Sequence, residues 1–307
     1  MTIQTEVPLK TEFRIPPATL PGYACLTVAD LDRQLTFYQE VIGLKAQRRE
    51  GATADLGVGG QPLLRLVESP HARRYRGTTG LYHFAILLPN KRELARAVRR
   101  LFELQYRNYP TDHIMTKTTY LDDPEGNNIE LYADSPEDGL MEITNGSFQS
   151  RRADGSLSDG REALDVAALF KELAPDDHWD VPMPPDTRIG HFHLYVASLD
   201  ETLHFYHDVL GFDDMGVSHS FRMGMVSAGR YHHHIGFNTW VGEGAPPAPA
   251  GALGMRYFTF RLPDQSGLEQ VVEHVRQAGL QLEQNEAGLA ISDPSKNLIV
   301  LTAPPQE

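Results

Sequence analysis

The 307-residue sequence predicts an α+β fold, built from four copies of one βαβββ module. Three internal similarities predict it. Residues 29–44 (ADLDRQLTFYQEVIGL) and 197–212 (ASLDETLHFYHDVLGF) align without a gap and agree at eight of sixteen positions. Residues 80–89 (GLYHFAILLP) resemble 254–263 (GMRYFTFRLP), and DPEGNNIEL (123–131) resembles DPSKNLIVL (293–301). The modules therefore lie near residues 21–70, 78–135, 188–241 and 254–303.

Each element has its own signal. The first repeat reads as an amphipathic helix, with Leu31, Leu35, Tyr38 and Ile42 on one face, and Leu199, Leu203, Tyr206 and Leu210 on the other copy. Asp30 and Ser198 are N-cap residues, Gly43 and Gly211 C-terminal caps. Short apolar strands precede the helices at 23–28 and 191–196. The second repeat is a strand leading to helices near 92–104 and 267–278, and the Asp-Pro segments are turns between two strands. Residues 1–20 form an N-terminal arm. Residues 136–187, rich in Gly, Asp, Ser and Pro, form a connection with one helix at 161–173, long enough to cover a site. A second connection, GEGAPPAPAGALG, spans 242–254.

Composition excludes several roles. A net charge of −13 opposes binding to nucleic acid or to an anionic membrane surface. The single cysteine, Cys25, rules out a disulfide framework and any multi-cysteine metal site. No apolar run approaches the roughly 20 residues of a membrane helix, and the first residues lack a signal peptide's apolar block. The expected location is cytoplasmic.

The chemistry sits at equivalent positions of the four modules. The opening strands place Tyr23, His83, His191 and Tyr257 at matching sites, and the closing strands of modules two and four place Glu130 and Val300. Only modules two and three hold ligand-type residues. Two imidazoles and a carboxylate form the facial set that non-heme Fe(II) uses, with positions left open for substrate and oxygen. Taken singly, His83 and His191 read equally well as hydrogen-bonded core histidines. Glu130, on an apolar strand, is harder to account for in that way, since a lone buried carboxylate is costly.

The run GHFHLYVASLDETLHFYHDVLG (190–211), with DH at 112–113 and YLDDPEGNNIELY at 120–132, resembles the vicinal-oxygen-chelate superfamily. YHHHIGFNTW (231–240) followed by GAPP (244–247) is similar to the bacterial catechol-2,3-dioxygenases, which are extradiol ring-cleaving enzymes. The resemblance covers about residues 21–303 and implies two vicinal-oxygen-chelate barrels. It implies Fe(II), with Mn(II) as the alternative, on His83, Glu130 and His191, acting on a small aromatic diol and O2. It further implies that Tyr120 hydrogen-bonds a substrate oxygen, that His113 supports it on the same hairpin, and that His233 is an acid–base. Strand alternation would set His233 on one face and His232 and His234 on the other, leaving open which set faces the site. His193 reads as core or as packing beside the ligands, and His204, His207, His219 and His274 as surface. Familiar extradiol enzymes pair their modules in order, which here would split the triad. Pairing two with three, and one with four, completes it, either within one chain or across a homo-oligomer. A glyoxalase-like lyase, which commonly needs a further Glu ligand, and a non-enzymatic small-molecule binding protein are the alternative readings.

Overall fold

The computed structural model describes residues 13–304. Two mixed sheets organise them, each drawn from distant parts of the chain. The eight-stranded sheet runs, edge to edge, Glu283–Gln284, Leu289–Ser292, Leu298–Thr302, Gly254–Arg261, Leu20–Val28, Gln61–Glu68, Thr53–Val58 and Lys45–Glu50. The nine-stranded sheet runs Glu162–Ala163, Tyr109–Asp112, Thr116–Asp122, Asn128–Asp134, Gly80–Leu87, Arg188–Tyr195, Ile235–Asn238, Met223–Ser227 and Asp213–Ser218. The first repeat thus shares a sheet with the fourth, and the second with the third. At each seam the opening strands lie antiparallel, Leu20–Val28 with Gly254–Arg261 and Gly80–Leu87 with Arg188–Tyr195.

Alternation along the strands separates two environments. Phe84 and Ile86, Ile129 and Leu131, and Phe192 and Leu194 join one continuous core with residues of the other sheet. Phe192 meets Phe258 there, with ring centres 4.8 Å apart. The intervening residues, His83 and Ala85, Glu130 and Tyr132, and His191 and His193, belong to the opposite face.

Both copies of the first repeat fold alike. Asp30 Oδ1 accepts the Arg33 N–H at 2.9 Å and Ser198 Oγ accepts that of Glu201 at 3.3 Å, capping Leu31–Thr36 and Leu199–Leu203. Each helix then widens into a π-helical turn, Phe37–Ile42 and His204–Val209. Gly43 leaves the first with φ +91°, its N–H bonded to the Tyr38 carbonyl five residues back. The widened turns present Tyr38 and Tyr206 to the next module's Asp-Pro turn. The Tyr38 hydroxyl donates to Asp123 (3.0 Å) and that of Tyr206 to Asp293 (3.2 Å), all four groups buried. Modules consecutive in sequence are tied by these bonds, although their strands belong to different sheets. Tyr38→Phe should therefore lower stability by about 1–3 kcal/mol, the cost of leaving a buried acceptor short of a donor. An unchanged urea midpoint would contradict it.

Some expectations need correction. The helix expected at 161–173 is confined to Val166–Leu169 with a short 3-10 turn at Phe170–Glu172. Asp165 Oδ1 caps it through the Ala168 N–H, and Glu162–Ala163 pairs instead with Thr111 and Asp112 as an edge strand. The connection also holds a small sheet of its own, Gly139–Thr144, Ser147–Arg152 and Leu157–Ser158. His274 is buried against Phe13, and its Nε2–H donates to the Asp208 carbonyl. Residues 1–12 of the expected arm lie outside the described residues; Ile15, at its described end, donates its N–H to the Gly211 carbonyl. No described helix is long and apolar enough to cross a membrane.

Candidate metal centre

Strand register aligns Tyr120, Glu130, Ala85 and His191 in one row across four strands of the nine-stranded sheet. The adjacent row sets His83 between Asn128 and His193. Ala85, between Glu130 and His191, projects only a methyl group, so the longer side chains meet above it. Glu130 Oε2 lies 3.1 Å from His83 Nε2 and 3.1 Å from His191 Nε2, and the two nitrogens are 3.2 Å apart. Each residue is 3% exposed. A divalent ion bound at right angles by three donors, with bonds of about 2.2 Å, needs those donors about 3.1 Å apart. The donor set and its spacing fit a facial site with half of an octahedron free.

The rings are set mainly by packing. His83 stands against Tyr82, His193 and Tyr120, with centroids 4.9, 5.0 and 5.5 Å away, and His191 against His233 at 4.2 Å and Tyr132 at 5.1 Å. Neither ring's Nδ1 has a hydrogen-bond partner among the described residues, a departure from the carboxylate or carbonyl support that metal-bound histidines usually have. Gly190 precedes His191 because a Cβ there would fall 1.8 Å from the Tyr132 hydroxyl. Burial alone would raise the Glu130 carboxyl, but the two imidazoles, that of His191 foremost, hold it well below the ordinary carboxylate range. Burial lowers His83 and keeps its ring neutral, the state a metal ligand requires.

The triangle opens into a cavity of about 380 Å³ whose walls include Met141, Phe148, Phe221, Met223 and Met225. A larger cleft, about 930 Å³, lies between residues 74–82 and 247–257, but among the described residues its two carboxylates, Asp122 and Glu286, belong to no close group of metal donors. The profile of the Glyoxalase/Bleomycin resistance protein/Dioxygenase superfamily matches residues 20–131 and 188–301. The chain belongs to that superfamily. It is 42% identical to the catechol-2,3-dioxygenase of Bacillus subtilis over 276 residues, 89% of this chain and 93% of that one. It is an enzyme of the catechol-2,3-dioxygenase-like oxidoreductase kind. Two solved structures share the superfamily fold over most of their length. A Bacillus subtilis protein provisionally described as a dioxygenase superposes with a TM-score of 0.62 at 15% identity, covering 94% of this chain and 86% of its own. Glyoxalase I from Zea mays gives 0.55 at 17% identity, covering 93% and 92%.

Around the superfamily's barrel the other expected residues are distributed unevenly. His113 Nδ1 donates to the Gly160 carbonyl, a group that can only accept, so Nε2 is left as the acceptor. The Tyr120 hydroxyl donates to that Nε2 over 2.8 Å, and burial, followed by the charge of Glu130, pushes its phenol well above the ordinary range. His233 is buried beside His191, its Nδ1 without a partner among the described residues. The closing strand begins only at Ile235, so residues 231–234 are not extended and strict alternation fails. His232 and His233 both reach the cavity, and with His191 they form a second close group of donors. His234 turns to the core, where its Nδ1 accepts the Ala228 N–H at 3.1 Å. Burial lowers His232 and His233 well below the ordinary range, and His234 to about 3.

Sequence reasoning missed several walls of the site. His193, expected as core or beside the ligands, packs against His83 and lines the cavity, with Asn238 donating to its Nε2 at 3.0 Å. Met141, Phe148 and Arg161 come from the connection, whose composition carries no periodicity that would place them.

Proposed function

We propose that the chain is an extradiol ring-cleaving dioxygenase that holds Fe(II) on His83, His191 and Glu130 and inserts O2 into a catecholic substrate beside its vicinal hydroxyls. The observation that carries this reading is the 3.1–3.2 Å triangle of two imidazoles and one carboxylate, open to a cavity of small-molecule size. The same donors accept Mn(II). Iron would supply open positions for the diol and oxygen, and a route for electrons between them.

The protein's own groups handle binding and protons. Tyr120 donates its hydroxyl hydrogen bond to His113, so its oxygen keeps free lone pairs for a substrate hydroxyl. A proton leaving that hydroxyl then has a path through Tyr120 to His113. His233, kept neutral by burial and with an unclaimed ring nitrogen, is the base for the other proton and returns it during ring opening. The sulfur and aromatic walls exclude water from the reacting ring. Catechol and O2 both diffuse freely in the cytoplasm, where this reading places the enzyme.

Protein purified anaerobically and loaded with Fe(II) should hold about one iron per chain and consume oxygen with catechol, giving a yellow ring-opened semialdehyde. Iron-loaded protein that takes up no oxygen, while nickel or zinc supports turnover of a thiol adduct, would make it a lyase instead.

A further inference from the structure

We propose that Arg161 selects diols bearing an anionic arm, such as a carboxylate, that extends from the ring towards the cavity mouth. The inference rests on the ring-cleavage reading for what binds at the triad, but concerns a separate part of the ligand.

Arg161 belongs to the connection that roofs the site and is fixed from its N-terminal side. The Gly160 carbonyl is held by His113, and the Arg161 N–H donates to Asp159 Oδ1 at 2.8 Å. Its guanidinium lies over Trp240, 5.3 Å from the ring centre, and Phe221, at 5.9 Å. Tyr82 packs at a tilt beside His83, with ring centres 4.9 Å apart, so a single aromatic ring lies between the cation and the metal triangle. Its positive field is felt at Tyr82, Tyr120 and His193.

Among the residues lining this cavity Arg161 is the only lysine or arginine, and no described carboxylate pairs with it. Arg65, Arg92, Arg96 and Arg152 all meet carboxylates. Aromatic faces hold the guanidinium plane while leaving N–H edges free, the geometry that receives a carboxylate through two parallel hydrogen bonds. Because Arg161 is exposed, water competes, and the expected preference is moderate.

The test compares two matched probes on iron-loaded protein under anaerobic conditions: a catechol bearing a propionate arm and one bearing a neutral propyl arm. Affinities are read from tryptophan fluorescence, since Trp240 lies against the guanidinium, and kcat/KM is then measured with oxygen. Wild type should bind the propionate compound roughly tenfold or more tighter, a preference that shrinks with added salt. Arg161→Met should weaken the charged probe about tenfold more than the neutral one, and Arg161→Lys should restore part of the difference. Equal wild-type affinities would overturn the proposal. So would equal weakening of both probes by Arg161→Met, which would leave Arg161 only a latch for the roof. If no diol supports oxygen uptake, the ring-cleavage reading fails, and the affinity ratio still decides the role of Arg161.

Discussion

Replacing Glu130 with alanine should empty the proposed metal centre and, on the ring-cleavage reading, reduce turnover at least about a thousandfold, because neither diol nor oxygen would be held without the ion. Glu130 is the only anionic member of the triangle, and its Oε2 contacts both imidazole nitrogens. Removing it leaves two neutral rings whose attraction for a divalent cation is far weaker. Two measurements check this independently of one another. Iron per chain, after anaerobic loading and desalting, should fall from about one towards zero. Fe(II) should raise the melting temperature of the wild type by binding only the folded state, and in the variant that rise should vanish. Glu130→Gln tests charge against shape and should also bind iron poorly. If Glu130→Ala kept stoichiometric iron and full oxygen uptake, the ligand assignment would be wrong.

Metal-free protein should unfold readily in mild acid. Burial lowers five histidines from their ordinary value: His83, His193, His232, His233 and His234. A histidine whose folded value is depressed takes up its proton more readily unfolded. The stability it permits is therefore present above the unfolded value, near 6.5, and is lost as pH falls below it. Between pH 7.5 and 5.5 each such group that stays neutral in the folded state can remove up to about 1.4 kcal/mol. Asp123, Asp134 and Asp293, raised by burial, the last to about 6, act in the opposite sense, since a buried carboxyl binds a proton more tightly in the folded state. The histidines outnumber them, so the net effect of acid is a loss of stability. Urea unfolding of chelator-treated protein at several pH values would measure it, and a flat profile from 7.5 to 5.5 would refute it.

The barrels were legible because a sheet buried on one side writes its pattern into sequence with period two. His83, Glu130 and His191 stood out as polar residues among Phe84, Ile129 and Phe192, and four repeats made the exceptions visible by comparison. His232 and His233 resisted the same logic because they precede the strand, where side-chain direction follows the turn at Gly229 and Arg230, both at positive φ. The roof was opaque for a different reason. Gly139–Thr144 and Ser147–Arg152 pair only with each other and with Leu157–Ser158, and their alternation is half-exposed and rich in polar residues. Arg161 lies in an irregular stretch, so only tertiary structure could bring it to the cavity. The π-helical turns at Phe37–Ile42 and His204–Val209 were equally hidden, since one extra residue per turn barely alters an amphipathic pattern.

Because the opening strand Leu20–Val28 finds its antiparallel neighbour only in Gly254–Arg261, synthesis must run past Arg261 before that seam can close. A nascent chain stalled after Asn238 would keep an unsatisfied apolar edge next to a finished catalytic half, an invitation to pair with another polypeptide. Truncation before Gly254 should thus strand Leu20–Val28 first, and stop codons there should yield aggregates instead of a shorter working enzyme.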